Sequence, residues 1–190
     1  MDILGGMTNT NEQQVYLAFK TADQKFYVNG ENPIEFQYMQ LDPATFRSGW
    51  GAYKNGGYNF QWDKKFGVVD DKPEDDYKRA FSAWVLPQGH AHPLLWQRFT
   101  YAESMAFNNI LGTFWNQKDA NVGLLPVVKY LGSKAIQVGA GKTSDLSFEF
   151  AKFSNRSEEF ILPAWHENDG TTGNSDNSGS SGVSEEDIPF

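Results

Sequence analysis

The chain of 190 residues has no cysteine, which excludes disulfide cross-links and thiolate-held zinc and suits a reducing compartment. It also lacks any run near the 18 apolar residues of a membrane-spanning helix, so no membrane partner is expected. Met1 to Glu12 has neither the basic start nor the apolar stretch of a secretory signal. Basic residues are few, 16 Lys and Arg against 24 Asp and Glu, for a net charge of −8. Aromatic residues, by contrast, make up 15% of the chain, enough to build a core from few, large side chains.

The charge is segregated. From His166 onward there are acids (Glu167, Asp169, Asp176, Glu185, Glu186, Asp187) and no Lys or Arg. A second acidic stretch, Asp70, Asp71, Glu74, Asp75 and Asp76, is relieved only by Lys72. Residues 47–66 are basic on balance, with Arg47, Lys54, Lys64 and Lys65 against Asp63. So are residues 129–156, with Lys129, Lys134, Lys142, Lys152 and Arg156 against Asp145 and Glu149. A surface divided in this way binds phosphate despite a negative total.

The length fits one domain with chain to spare. Residues 1–12 read as a flexible arm. Strand character follows at Val15–Phe19, Lys25–Val28 and Ile34–Leu41, the last with period-two alternation until Asp42-Pro43 breaks it. A Gly-rich stretch, Gly49 to Gly57, reads as a loop before Tyr58–Phe66, where Tyr58, Phe60 and Trp62 alternate with polar residues. Arg79–Leu86 is apolar on both faces and reads as a central strand. Thr100 to Glu103 has capping-box spacing, and Ala102, Met105, Ala106, Ile110 and Phe114 recur at helical spacing to about Gln117. Strands resume at Leu124–Leu131, Lys134–Val138 and Leu146–Phe153, with a further segment at Phe160–Trp165. The predicted fold is mainly β with one central helix, over residues 13–165. An OB-fold-like barrel with additions suits that order.

Residues 166–184 are Gly, Ser, Asn, Thr and Asp almost throughout, too polar to offset ordering entropy, and read as a disordered linker. Its reach is roughly 20–25 Å by random-coil scaling. It leads to Glu185-Glu186-Asp187-Ile188-Pro189-Phe190. This tip resembles the acidic C-terminal tip of bacterial single-stranded DNA-binding proteins, and the flexible spacer before it matches the same arrangement. The body resembles phage or mobile-element binding proteins that pair a divergent domain with a host-type tip.

The resemblance implies single-stranded DNA as ligand, in replication, recombination or repair. It implies docking of helicases, nucleases and other DNA-processing proteins on residues 185–190, and a cytoplasmic place in a bacterial or phage-infected cell. A homo-oligomer is compatible with it, and no cofactor is implied. The residues suit docking. Phe190 offers a ring for a pocket and Pro189 restricts the free chain, Glu185, Glu186 and Asp187 meet a basic rim, and Ile188 belongs to the same docking tip.

Binding single strands without base preference needs aromatic faces for bases and cations for phosphates. The strongest candidate is the run from Arg47 to Tyr58, where Trp50 and Tyr53 lie among glycines with Arg47 and Lys54 beside them. The alternative is a loop folded back so that Trp50 plugs a barrel end. Tyr58, Phe60 and Trp62 would share one strand face, with Lys64 following, and form a second candidate, although an aromatic stripe at strand spacing is more often core. Trp96, Arg98 and Phe99 mix aromatic and cation without a clear face. Lys142 is a candidate phosphate contact.

Other chemistry is poorly supported. Gly139-Ala140-Gly141-Lys142-Thr143 lacks the first glycine of a phosphate-binding loop, its position being Ile136, and reads as a turn between strands. His90 and His92 lie in a Pro- and Gly-bounded turn with no third metal ligand evident. Asp70 to Asp76 lacks the alternation of a calcium loop. An enzyme is therefore not expected. Two other readings stand beside a binding protein: a phage recombination enzyme or annealing protein that borrowed the tip, and a mimic of the host tail.

Overall fold

The computed structural model describes residues 15–164, so the arm (1–12), linker (166–184) and docking tip (185–190) lie outside the described residues. The chain runs through β1 (Tyr16–Lys20), β2 (Lys25–Val28), β3 (Asn32–Ile34), β4 (Tyr38–Leu41), β5 (Arg47–Lys54), β6 (Gly57–Trp62), β7 (Lys78–Pro87) and β8 (Leu94–Arg98). Helix α1 (Tyr101–Phe114) and the long hairpin of β9 (Leu125–Val138) and β10 (Gly141–Ser154) complete it. The expectation of a mainly β fold with one helix is met. All these strands join one sheet in the order β10-β9-β4-β7-β8-β1-β2-β3, and β5, carrying β6, pairs with β7 as well. Pairing is antiparallel except between β1 and β8, where Tyr16 meets Leu95 and Leu17 meets Trp96.

The central place of β7 follows from its two apolar faces. Phe81, Ala83 and Val85 join the main core, while Trp84 and Leu86 face the other way into a smaller cluster with Leu95, Leu125 and Phe160. Helix α1 lies over the first face. Phe107 stacks on Phe81 with ring centroids 4.3 Å apart and meets Phe46 edge-on at 5.1 Å. Truncating a fully buried ring such as Phe107 costs about 3–5 kcal/mol.

The sheet curls, and its two ends meet through side chains. Phe26 of β2 lies 5.4 Å from Tyr130 of β9 and 6.4 Å from Phe148 of β10. Nearby, the Gln24 amide donates to the Ser144 hydroxyl at 2.7 Å.

Three departures from the sequence reading have physical causes. The Gly-rich stretch is strand up to Lys54; only Asn55 and Gly56 turn, with φ of 52° and 80°, the left-handed pair of a tight hairpin. Ile34–Leu41 is split, because the chain leaves β2 at Ile34 and re-enters the sheet between β7 and β9 at Tyr38. Phe36, between the two pieces, turns onto Phe26 and Tyr130. Conversely, Leu124–Leu131 and Lys134–Val138 are one strand. Gly132, at φ 118°, is absorbed at a bulge in β9 itself, where Ser147 pairs with Gly132 and Phe148 with Tyr130, so that Leu131 is passed over in the register. The segment 160–164 carries no strand.

Candidate nucleic-acid interface

The β5–β6 hairpin builds the site. Its register sets Tyr53 opposite Tyr58, Gly51 opposite Phe60 and Gly49 opposite Trp62, so these six residues share one face of the sheet. The glycines are there because the rings need the room. A Cβ on Gly51 would lie 2.5 Å from the Phe99 ring and 3.1 Å from that of Phe60. One on Gly49 would lie 2.3 Å from the Gln61 carbonyl oxygen and 2.8 Å from Trp62 Cα. With no side chains in the way, Phe60 and Trp62 stack at 5.2 Å with planes 6° apart. Tyr58 stands edge-on to both Tyr53 (5.5 Å) and Phe99 (5.8 Å).

This stripe is not core. Tyr53 and Tyr58 are 63% and 62% exposed, and Phe60, Trp62 and Phe99 are half-buried. The face continues across the sheet. A groove of about 280 Å³ is lined by Tyr53, Tyr58, Phe60, Gln97, Arg98, Phe99 and Thr100. A second, of about 1070 Å³, shares Tyr58, Phe60, Gln97 and Arg98 with it and extends over Tyr16, Ala18 and Lys20. Lys20 donates to the Gly30 carbonyl at 2.5 Å and lies 4.0 Å over the Tyr27 ring. Glu31 is the acid on the groove wall.

Trp50 and Lys54 stand on the opposite face of β5. The Trp50 indole N–H donates to the Asp70 carbonyl at 2.9 Å, and the Arg79 guanidinium lies 4.8 Å over its ring. Lys54 pairs with Glu74 at 2.6 Å and Asp76 at 3.3 Å. The Glu74 hydrogen bond, followed by that of Asp76, raises its pKa above the ordinary value against the desolvation that opposes them. The acidic stretch thus holds Lys54 rather than merely facing water.

The loop after β6 is anchored by Asp63, whose carboxylate is sealed from solvent. It accepts from Ser48 (2.6 Å), from Arg79 (2.7 and 3.2 Å) and from the Asp70 N–H (3.1 Å). Burial pushes the Asp63 pKa up, but these donors outweigh it and hold the carboxyl below its usual range. Trp50 is therefore neither a loop-borne ring nor a barrel plug. It is a half-buried strand residue under the acidic loop.

Of the remaining expected residues, Arg47 pairs with Ser82 within the sheet and is half-buried. Lys64 is exposed just after β6, its backbone N–H donating to Asp70. Lys142 is exposed near the tip of the β9–β10 hairpin, at one end of the strand order, and lines neither groove. Gly139 and Ala140 make that hairpin's turn, and His90 lies in the turn between β7 and β8.

The structure thus brings Tyr53, Tyr58 and Trp62 together and parts them from Trp50 and Lys54. Sequence reasoning held Phe60 in the aromatic stripe without choosing between core and DNA, ranked Arg98 and Phe99 as weak candidates, and missed Gln97. Their signal was faint: Leu94–Arg98 is buried by Leu94 and Trp96 on one face and Leu95 on the other, so β8 carries no alternation. Against the profiles of known families, the curated proteins and the solved structures, the chain has no match.

Proposed function

We propose that this protein binds single-stranded DNA along the Tyr53–Tyr58–Phe60–Phe99 groove, as a stoichiometric coat rather than an enzyme, and recruits partners through residues 185–190. The observation that carries the reading is a contiguous set of partly exposed rings bordered by Arg98 and Lys20, on a face from which small residues clear the way. Unpaired bases can lie on such rings, whereas the bases of a duplex are already stacked on each other. Cations at the border suit a strand's phosphates.

In this reading the body is an OB-like barrel with additions. The curled sheet with α1 on its inner side supports it, and the added pieces are the second half of the β9–β10 arm and the acidic loop. Cellular partners, helicases and nucleases among them, would dock on Phe190 and the acids before it, in the cytoplasm of a bacterial or phage-infected cell. Lys64 and Lys142 serve as outlying phosphate contacts.

Titration of the full chain with poly-dT, read by tryptophan emission, tests the proposal. Trp62 is half-buried and stacked on Phe60, which lines the groove, so emission should fall on binding, and the affinity should weaken as salt rises. Equal affinity for duplex and poly-dT, or no binding to either, overturns it.

A further inference from the structure

The Arg98 side chain is about one-fifth exposed and the Glu103 side chain is 1% exposed. Glu103 comes from the first turn of α1 and points into the molecule. Its carboxylate accepts the Phe19 backbone N–H at 2.9 Å, the Trp96 indole N–H at 3.1 Å and the Thr100 hydroxyl at 2.8 Å. It also faces Arg98 Nε at 3.2 and 3.4 Å. Among the described residues, the two terminal nitrogens of Arg98 make no hydrogen bond, and its guanidinium lies 5.8 Å from the Tyr58 ring centroid. One edge of the guanidinium is thus fastened to a core carboxylate, and the other lies among the groove rings.

We infer that Glu103 is a positioning residue that aims Arg98 at a phosphodiester of the bound strand, between the bases stacked on Tyr58 and Phe99. The inference rests on the single-strand reading of the groove. A guanidinium suits this place better than an ammonium, because its planar fork can hold Nε to one anion and present two parallel N–H donors to another. A lysine ammonium is a single point of charge, and Glu103 would capture it. The spare acceptor capacity of Glu103 is filled by Phe19, Trp96 and Thr100, so the carboxylate cannot swing out to follow the arginine. The aim is fixed by the core.

Four full-length proteins distinguish positioning from charge: wild type, Arg98→Lys, Glu103→Gln and Arg98→Lys/Glu103→Gln, each titrated with poly-dT over a salt series. Glu103→Gln removes a negative charge near the phosphates, so charge alone predicts tighter binding. Positioning predicts weaker binding, by about tenfold, the scale of a lost charge-assisted contact, with the slope of log affinity against log salt reduced by about 0.7, the value for one phosphate of a single strand. Arg98→Lys should lose a similar factor although its charge is kept, and the double variant should lose no more than Glu103→Gln alone. Thermal melts report folding for each protein; should Glu103→Gln fail to fold, Arg98→Lys still decides. Near wild-type binding by Arg98→Lys, or tighter binding by a folded Glu103→Gln, overturns the positioning role. Absence of poly-dT binding by the wild type overturns the single-strand reading itself, a separate outcome.

Discussion

At the scale of single residues, the two faces of β5 assign different work to neighbours in sequence. Tyr53 and Tyr58 offer open rings, and removing either should weaken poly-dT binding by about 1–3 kcal/mol, the usual worth of one stacked base. Trp50, tied to Asp70 and covered by Arg79, should behave oppositely. Trp50→Ala is expected to lower the melting temperature while leaving affinity nearly intact. Lys54→Ala should leave the salt slope unchanged, because its charge is already committed to Glu74 and Asp76. Parallel melts and salt titrations of these variants check all of these expectations.

Asp63 gives the residue scale a pH dependence. Its folded pKa lies below the unfolded value of about 3.9. Its contribution is then fully present above that unfolded value and fades as pH falls toward the folded one. Asp63→Asn should remove this part of the acid loss and should lower stability at neutral pH by about 3–5 kcal/mol, as for a buried pair that loses one partner. Denaturant melts from pH 7 down to pH 3 read both effects. A variant with wild-type stability at neutral pH would show that the Asp63 knot contributes nothing.

At the scale of elements, the β5–β6 hairpin owes its shape to two absent side chains. Gly49→Ala drives a methyl against backbone atoms and should destabilise by about 1–3 kcal/mol, the range for overpacking. Gly51→Ala meets ring atoms of Phe99 and Phe60 instead, so it should tilt those rings and weaken DNA binding more than stability. The pair of measurements separates the two glycines, and equal effects on both would refute the account.

The same hairpin shows what sequence could and could not convey. The alternation of Tyr58, Phe60 and Trp62 announced a strand, and it is one. Whether the stripe faced core or solvent depended on which strand lay beside it, information held in the Gly49–Trp62 register rather than in either segment. Glycines that signal a loop in isolation proved to be clearance for cross-strand rings. Helix α1 was legible because its apolar spacing is local. The Thr100–Glu103 spacing announced the start of the helix, but the expected cap is not made. Thr100 donates to the Glu103 carboxylate instead of capping the backbone, and the carboxylate turns to Arg98 and Trp96 and to the Phe19 amide from a distant strand. Strand β8 was hidden by being buried on both faces.

At the scale of the whole molecule, the acids beyond residue 165 and the groove are separate in sequence and should be separable in function. Deleting Phe190 alone should abolish retrieval of helicases and nucleases from a bacterial lysate, a hot-spot loss of about 2 kcal/mol or more. Poly-dT affinity should stay within error, because in the proposed reading DNA is held by the groove rings and not by the tip. If intact and Phe190-deleted proteins retrieve the same set, docking runs through the body.

The parallel contact between β1 and β8, the one such pair among the described residues, has a kinetic implication. Antiparallel neighbours in this sheet, such as β5 with β6 or β9 with β10, can zip from a short turn. Tyr16 and Leu95 must instead find each other across roughly 80 residues of chain, an encounter whose entropic toll precedes any reward. β1 should therefore dock late, after β7 and β8 have formed its template, and bring with it the Phe19 amide that completes the shell around Glu103. Until that step Glu103, and through it the arginine beside Tyr58, is held by Trp96 and Thr100 without the Phe19 amide. A nascent chain should pass through a compact stage with its aromatic rings in place and its grip on DNA not yet set. Stopped-flow refolding would show this as a recovery of poly-dT binding that lags the recovery of secondary structure.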